Sequence, residues 1–333
     1  MNNVKQIHEL GQSIWLDFIN REIMNNGKLQ QLIDEDGVCG VTSNPAIFAK
    51  AINGSPDYDA DIAKFAKEKD SNDDIFYSLA IKDIQQATDI FRPVFDETQG
   101  GDGYVSLEVG PGLANDTEGT VAQARELWNA VDRENVMIKI PGTKEGLAAI
   151  RQCISEGINI NVTLLFGLPR YSAVTEAYLA GLEDRVKAGK SIEKIASVAS
   201  FFLSRIDSLV DPILDKKGLK EAQGEVAIAS ARKAYEIYKE VFSSERFKAL
   251  EAKGAQTQRV LLASTSTKNP DYSDVKYVEA LIGENTINTL PMATIDAFRD
   301  HGNAASRLED DLDKANKTLA VLKENGIDID ELT

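Results

Sequence analysis

Histidine and cysteine are almost absent from this sequence, with two of each among 333 residues. The cysteines, Cys39 and Cys153, are far apart and set in apolar surroundings. That spacing supports neither a CxxC redox motif nor a zinc site, and both are expected as reduced thiols in the core. His8 falls in a polar amphipathic start, and His301 stands beside Gly302 at what reads as a helix end, where a cation suits the helix dipole. Neither has neighbours fit for a metal site or a nucleophilic triad. Any chemistry therefore falls to carboxylates, lysine, hydroxyls and amides, with no metal and no cofactor expected. Long apolar runs are missing too, none reaching the roughly 18 residues needed to cross a bilayer. The start, MNNVKQIHELGQSIW, lacks the basic and apolar regions of a secretory leader. These absences predict a cytoplasmic protein.

Positive charge is also in deficit: 37 Lys and Arg against 53 Asp and Glu, a net charge of -16. Such a surface repels nucleic acid and membranes, so neither is expected as a partner. It repels phosphorylated metabolites equally. A phosphate ligand would need a local basic cluster that overrides the global sign.

What is present is an alternation of short β-rich runs with helical stretches. The candidate strands are Ile14–Ile19, Val38–Thr42, Tyr104–Val109, Val136–Ile140, Ile160–Phe166, Ser197–Leu203, Arg259–Ser264 and Thr286–Leu290. Most end in turn-forming residues. Between them, Asp116-Thr117-Glu118 opens one helix, Thr143 caps another, Leu168–Val186 forms a third, and Ser273-Asp274 opens a fourth through Ile282. Strand–helix alternation implies a parallel sheet, and eight strands favour a closed (β/α)8 TIM barrel over an open sheet. Two longer spans, about 54–95 and 212–254, predict helical insertions between barrel units. A C-terminal helix is expected over about 306–324, with Ser306 as its N-cap. No span has a linker composition, so residues 1–333 are read as a single TIM-barrel domain.

Buried parallel strands normally read as unbroken apolar runs. Here most carry a polar exception near the C-terminal end. Asp17 interrupts the first, Glu108 the third, and Lys139 sits between Ile138 and Ile140 in the fourth. Thr42 with Asn44, and Asn161 with Thr163, are pairs that share one face; Ser200 precedes Phe201-Phe202. One such residue alone could be an edge lysine, a helix cap or an ion-pair partner. Burying a charge costs several kcal/mol unless it is paired, so three on separate core strands point to use. The C-terminal rim is also where barrel enzymes place their catalytic groups. Burial disfavours the charged form of a lysine, an uncharged amine can attack a carbonyl to form a Schiff base, and nearby carboxylates can shuttle protons. This is the inventory of a metal-free, lysine-dependent aldolase. Arg205 and Lys268, the latter after Ser264-Thr265-Ser266-Thr267, follow strands six and seven and could form the basic cluster that a phosphate demands.

Three segments carry a family resemblance. Gly40-Val41-Thr42-Ser43-Asn44-Pro45-Ala46-Ile47-Phe48 resembles the strand-two signature of transaldolases. Asn159-Ile160-Asn161-Val162-Thr163-Leu164-Leu165-Phe166 resembles their strand-five motif, and Val136-Met137-Ile138-Lys139-Ile140-Pro141-Gly142-Thr143 the segment bearing their Schiff-base lysine. The similarity runs from about Asp17 to Phe298, and the inserts and tail resemble a long-chain subfamily. The resemblance implies a class I aldolase-type barrel that moves a dihydroxyacetone unit between sugar phosphates in the pentose phosphate pathway. Lys139 would form the Schiff base, Asp17 would act as acid and base on the C4 hydroxyl, and Glu108 would work through a water. Thr42, Asn44, Asn161, Thr163 and Ser200 would hold the donor carbons and the catalytic water; Arg205, Ser266 and Lys268 would take the phosphate. Lys268 departs from the better-known branch of the family, which has arginine there; a lysine binds as a point charge instead of a bidentate fork. The expected assembly is a monomer or homodimer. Two other readings fit the same residues: a Schiff-base aldolase that releases free dihydroxyacetone, and a non-catalytic barrel that senses sugar phosphates.

Overall fold

The apolar runs form eight strands: β1 (Gln12–Leu16), β2 (Val38–Val41), β3 (Tyr104–Glu108), β4 (Val136–Pro141), β5 (Ile160–Leu165), β6 (Ser197–Phe202), β7 (Arg259–Ala263) and β8 (Thr286–Leu290). The computed structural model describes residues 2–69 and 71–333. Residue 1, part of the start read for a leader, and residue 70, inside the first expected insertion, lie outside the described residues. Each strand pairs in parallel with the next in chain order, and β8 returns to β1. The sheet is the expected closed (β/α)8 barrel, with extra helices around it and at the C-terminal end, and it leaves no edge strand. No helix among the described residues is long and apolar enough to cross a membrane.

The N-terminal floor of the barrel is shut. Trp15 lies inside with Met137, Val198, Leu261 and Ile287. It can do so because residue 40 is glycine: a Cβ there would stand 2.6 Å from the indole. Beneath it, Asp102 accepts from Trp15 Nε1 at 2.9 Å and Ser13 Oγ at 2.7 Å, and pairs with Arg259 at 3.0 Å. With charge and aromatic packing closing this end, space for a ligand remains at the other.

The strands match the sequence reading to within a residue at each end, except for β1. The expected Ile14–Ile19 is Gln12–Leu16, because Asn20 Oδ1 accepts from Ile23 N–H at 2.9 Å and the chain must leave the sheet to start the helix Arg21–Asn25. Asp17 consequently stands just past the strand end. Asp116 and Thr143 cap the helices Thr117–Val131 and Lys144–Glu156 as expected, accepting from Gly119 N–H and Gly146 N–H at 3.0 Å each. The helix expected from Ser273 through Ile282 shortens to Lys276–Ala280, since Leu281 and Ile282 turn into the core. Between β2 and β3 run the helices Pro45–Gly54, Asp59–Phe65 and Asn72–Glu97. Between β6 and β7 run Ser204–Lys216, with Pro212 inside it, then Val226–Phe242 and Glu245–Glu251.

The tail corrects another expectation. Ser306 caps nothing; the last long helix is Leu312–Glu324, entered through Asp311 in a left-handed conformation, φ 50°. The N–H groups of Arg307 and Leu308 both donate to Ile282 O, at 2.9 and 3.0 Å. Leu308 is thereby buried over Gly283, where a Cβ would meet its side chain at 2.6 Å. The helix can begin only once the chain has cleared this anchor.

Cys39 and Cys153 are both buried and free, as expected. Burial pushes both thiols up, Cys153 to about 12. Neither should react with an aromatic disulfide reagent in the native protein; both should titrate at once in denaturant. A second measurement concerns Asp207, in the first turn of Ser204–Lys216. It accepts from Ala227 N–H and Tyr277 OH, at 2.8 Å each, and burial raises it to about 6. Its folded-state value lies above its unfolded one, so the folded chain binds the extra proton between about pH 4 and pH 6. Stability from this group is lost as pH rises through that window, by up to about 3 kcal/mol. Asp207→Asn should therefore gain on the parent by up to that amount between pH 4 and pH 7, read by urea unfolding at both.

Candidate active site

Register decides which side chains meet at the open end. Glu108 is level with Lys139, and Lys139 with Asn161, on three consecutive strands. Across the ring, Asp17 N–H donates to Leu290 O at 2.8 Å and Thr42 N–H to Leu16 O at 2.9 Å, so Asp17 and Thr42 share a level beside the end of β8. These backbone bonds bring residues far apart in sequence to one rim.

Lys139 is 5% exposed. Its Nζ donates to Ser43 O at 3.1 Å and lies 3.3 Å from Glu108 Oε2. The amine therefore points into the barrel mouth and not into bulk water. Asp17 accepts from Thr42 Oγ1 at 2.7 Å through Oδ1. Both carboxylates and the amine line one cavity of about 560 Å3. Thr42, Asn44, Thr163 and Ser200 line it as well. Asn44 also caps the helix Pro45–Gly54, its Oδ1 accepting from Ile47 N–H at 2.9 Å, so its amide NH2 is the part left for a ligand. Thr163 Oγ1 makes no protein hydrogen bond among the described residues and lies on the cavity wall. Asn161 is placed differently. It is fully buried behind the wall, its Nδ2 donating to Ser106 Oγ at 3.0 Å and its Oδ1 accepting from Ser200 Oγ at 2.7 Å.

The basic cluster is present in the same cavity. Arg205, Ser266 and Lys268 line its far side, with Lys268 Nζ donating to Ser266 Oγ at 2.7 Å and the Arg205 guanidinium 5.2 Å from the Phe202 ring centroid. Lys50, from the helix Pro45–Gly54, lines the opposite flank. None of Lys50, Arg205 and Lys268 makes an ion pair among the described residues, although carboxylates are in excess over the whole chain. Lys50, Arg205 and Lys268, two carboxylates and the Lys139 amine thus line the mouth, which offsets the global negative sign locally. Leu164, in the irregular stretch of β5 where its register against β6 shifts, and Ser264, just past the end of β7, sit at φ 60° and 55° on the cavity wall. Non-glycine residues adopt this region at a cost, and such strain gathers where backbone must aim side chains at a ligand.

Sequence reasoning missed several participants. Thr289 lines the cavity from β8, and Ser43 and Ser106 hold Lys139 and Asn161 from behind. Thr289 carries no comparable signal, because β8 already holds Thr286 and Asn288 and one more polar residue does not stand out. Lys50 carries none, since a lysine on a helix is normally solvated.

Comparison with known proteins places this geometry. The family described as Transaldolase/Fructose-6-phosphate aldolase matches residues 14–333. A protein named Transaldolase from Trichodesmium erythraeum is 51% identical, over 98% of this chain and 89% of its own. Transaldolase 2 of Nostoc sp. is 48% identical over 99% and 90%, and the Transaldolase of Thiobacillus denitrificans 47% over 99% and 93%. With a match across nearly its whole length, a barrel of the expected topology and a lysine buried among carboxylates at the strand ends, the chain belongs to the transaldolase/fructose-6-phosphate aldolase family.

Proposed function

We propose that this protein is a transaldolase, moving a dihydroxyacetone unit from fructose 6-phosphate or sedoheptulose 7-phosphate to an aldose phosphate through a Schiff base on Lys139. The observation that carries the reading is the Lys139 amine itself, buried in a cavity wall 3.3 Å from Glu108, with Asp17 lining the same space. Lys139 attacks C2 of the ketose as the free amine. Glu108 is the carboxylate within reach of that nitrogen and, relayed by a water, gives a proton to the departing hydroxyl, so that the carbinolamine loses water and becomes the iminium. Asp17 takes the proton of the C4 hydroxyl as the C3–C4 bond breaks, and its electron pair passes to the iminium. An aldose phosphate leaves, and the three-carbon fragment stays as an enamine. That enamine attacks glyceraldehyde 3-phosphate or erythrose 4-phosphate, and the same steps run in reverse.

The remaining residues divide the ligand between them. Asn44 and Thr163 hydrogen-bond the donor hydroxyls and the water, and Asn161 acts through Ser200, whose hydroxyl it accepts. Arg205, Ser266 and Lys268 take the phosphate as hydroxyl and charge donors. The barrel and its added helices work as one domain, as a monomer or homodimer in the cytoplasm, within the pentose phosphate pathway.

Borohydride added with fructose 6-phosphate should leave a reduced adduct on Lys139, identified by peptide mass spectrometry, and Lys139→Ala should show neither adduct nor turnover. An unmodified Lys139 in the active protein would end the Schiff-base reading. Free dihydroxyacetone accumulating without an acceptor, at the rate of transfer with one, would make the protein a simple aldolase instead. Glu108→Gln should lower kcat by between about 100-fold and 10,000-fold, the range for loss of a proton-transfer group.

The phosphate assignment makes a separate demand. Arg205→Ala and Lys268→Ala should each raise KM for fructose 6-phosphate by about 10-fold or more, the worth of a charge-assisted hydrogen bond. Turnover of unphosphorylated fructose should be left as it was. Lys50→Gln should lower kcat/KM only at low ionic strength, with the difference fading as salt screens the mouth.

A further inference from the structure

The orientation of the Asp17 carboxylate is set from a residue two hydrogen bonds away. Thr42 has one hydroxyl proton and gives it to Asp17 Oδ1 at 2.7 Å. Its oxygen also lies 2.7 Å from Thr289 Oγ1. With the Thr42 proton already committed, the bond between the threonines has a single donor left, and that donor is Thr289. The order Thr289 to Thr42 to Asp17 is therefore fixed by counting protons. Both hydroxyl-bearing residues are nearly inaccessible, at 1% and 3% exposure, so little of either side chain is open to water.

Thr289 is itself held firmly. It lies in β8 level with Trp15 of β1, and its carbonyl accepts from Thr265 Oγ1 at 2.8 Å. A donor on a rigid strand thus pins a hydroxyl, which pins one oxygen of the carboxylate. The other oxygen, Oδ2, makes no hydrogen bond among the described residues, and Asp17 lines the cavity. The carboxylate is thereby made asymmetric, with one oxygen anchored and one free. Each bond in such a chain polarises the next, so the terminal acceptor is held more tightly than by an isolated hydroxyl.

Resting on the Schiff-base reading above, we propose that Thr289 is a positioning residue for carbon–carbon bond cleavage, fixing the Thr42 hydroxyl on Oδ1 of Asp17 so that Oδ2 is presented to the C4 hydroxyl of the ketose. Without the Thr289 hydroxyl, Thr42 is released to turn to another acceptor and the carboxylate loses its fixed setting. Imine formation, which depends on Lys139 and Glu108, is untouched.

The test compares Thr289→Val, which keeps the shape and removes the hydroxyl, with Thr289→Ser, which keeps the hydroxyl and removes a methyl. Thr289→Val should lower kcat for fructose 6-phosphate by about 5-fold to 20-fold, the loss of one buried hydrogen bond, with KM unchanged within about twofold. Thr289→Ser should stay close to the parent. Quenching with borohydride separates the steps: the parent should carry mainly the three-carbon adduct on Lys139, and Thr289→Val the uncleaved six-carbon adduct. Parent-like cleavage in Thr289→Val, or a Thr289→Ser as slow as Thr289→Val, would overturn the relay, the second by showing that packing of the methyl is what matters. Should Thr289→Val fail to fold, Thr289→Ala against Thr289→Ser makes the same comparison. Absence of any adduct in the parent is a different result, which removes the Schiff-base reading on which the relay rests.

Discussion

One amine held against one carboxylate inside a closed barrel is the constraint around which this molecule is organised. Lys139 and Glu108 are nearest neighbours only because β3 and β4 pair in the register that sets them level. An amine and a carboxylate drawn largely out of water are costly, and here that cost is offset by their mutual contact and by the Ser43 carbonyl. Slipping β4 by one residue would turn Lys139 out among the helices and bring an isoleucine in. Closure forbids such a slip, since every strand is pinned on both sides. The shut floor completes the arrangement: with Trp15 and the Asp102–Arg259 pair closing one end, the cavity that receives the amine opens at the other.

Charge works on two length scales. At long range the chain is strongly acidic and repels its own anionic substrates. Within a Debye length of the mouth the sign reverses, because Lys50, Arg205 and Lys268 make no ion pair among the described residues. Many arginines elsewhere are spent on ion pairs, Arg246 with Glu176 and Glu183, Arg299 with Asp36 and Asp296. Leaving three cations free in one place is what a phosphate site requires. Arg205 shows how such a group is kept in position: its helix is tied to its surroundings two residues on, by Asp207 accepting from Ala227 N–H and Tyr277 OH.

Much of this is legible in the amino-acid sequence. Buried parallel strands announce themselves as apolar runs, so a polar residue inside one stands out, and Asp17, Glu108 and Lys139 stood out for that reason. What stayed hidden has physical causes. Thr289 is a good strand former, so a threonine there breaks no pattern. The Ser43 contact to Lys139 uses a backbone carbonyl, which every residue has. Asn161 shares its motif with Thr163, yet the spacing could not tell that one would lie behind the wall and the other on it. The tail helix started late because Leu308 is anchored through the N–H groups of residues 307 and 308 to a carbonyl from a distant segment.

Because strand order around the barrel equals chain order, position along the sequence is also position around the mouth. The carboxylates come from the ends of β1 and β3, the amine from β4, neutral hydroxyls from β5 and β6, and the cations Arg205 and Lys268, without an ion pair among the described residues, from beyond β6 and β7. A ligand that is a polyol at one end and a phosphate at the other has only one sensible way to lie across such a ring. In the proposed reading its phosphate goes to the β6–β7 side and its carbonyl to β4. The hydroxyl next to the breaking bond would then fall toward Asp17, whose proposed positioning residue, Thr289, is on β8 between the phosphate side and β1. The direction in which the substrate binds thus follows from the order in which the strands are connected, and exchanging the cations of β6 and β7 with the acids of β1 and β3 would demand a substrate of the opposite sense.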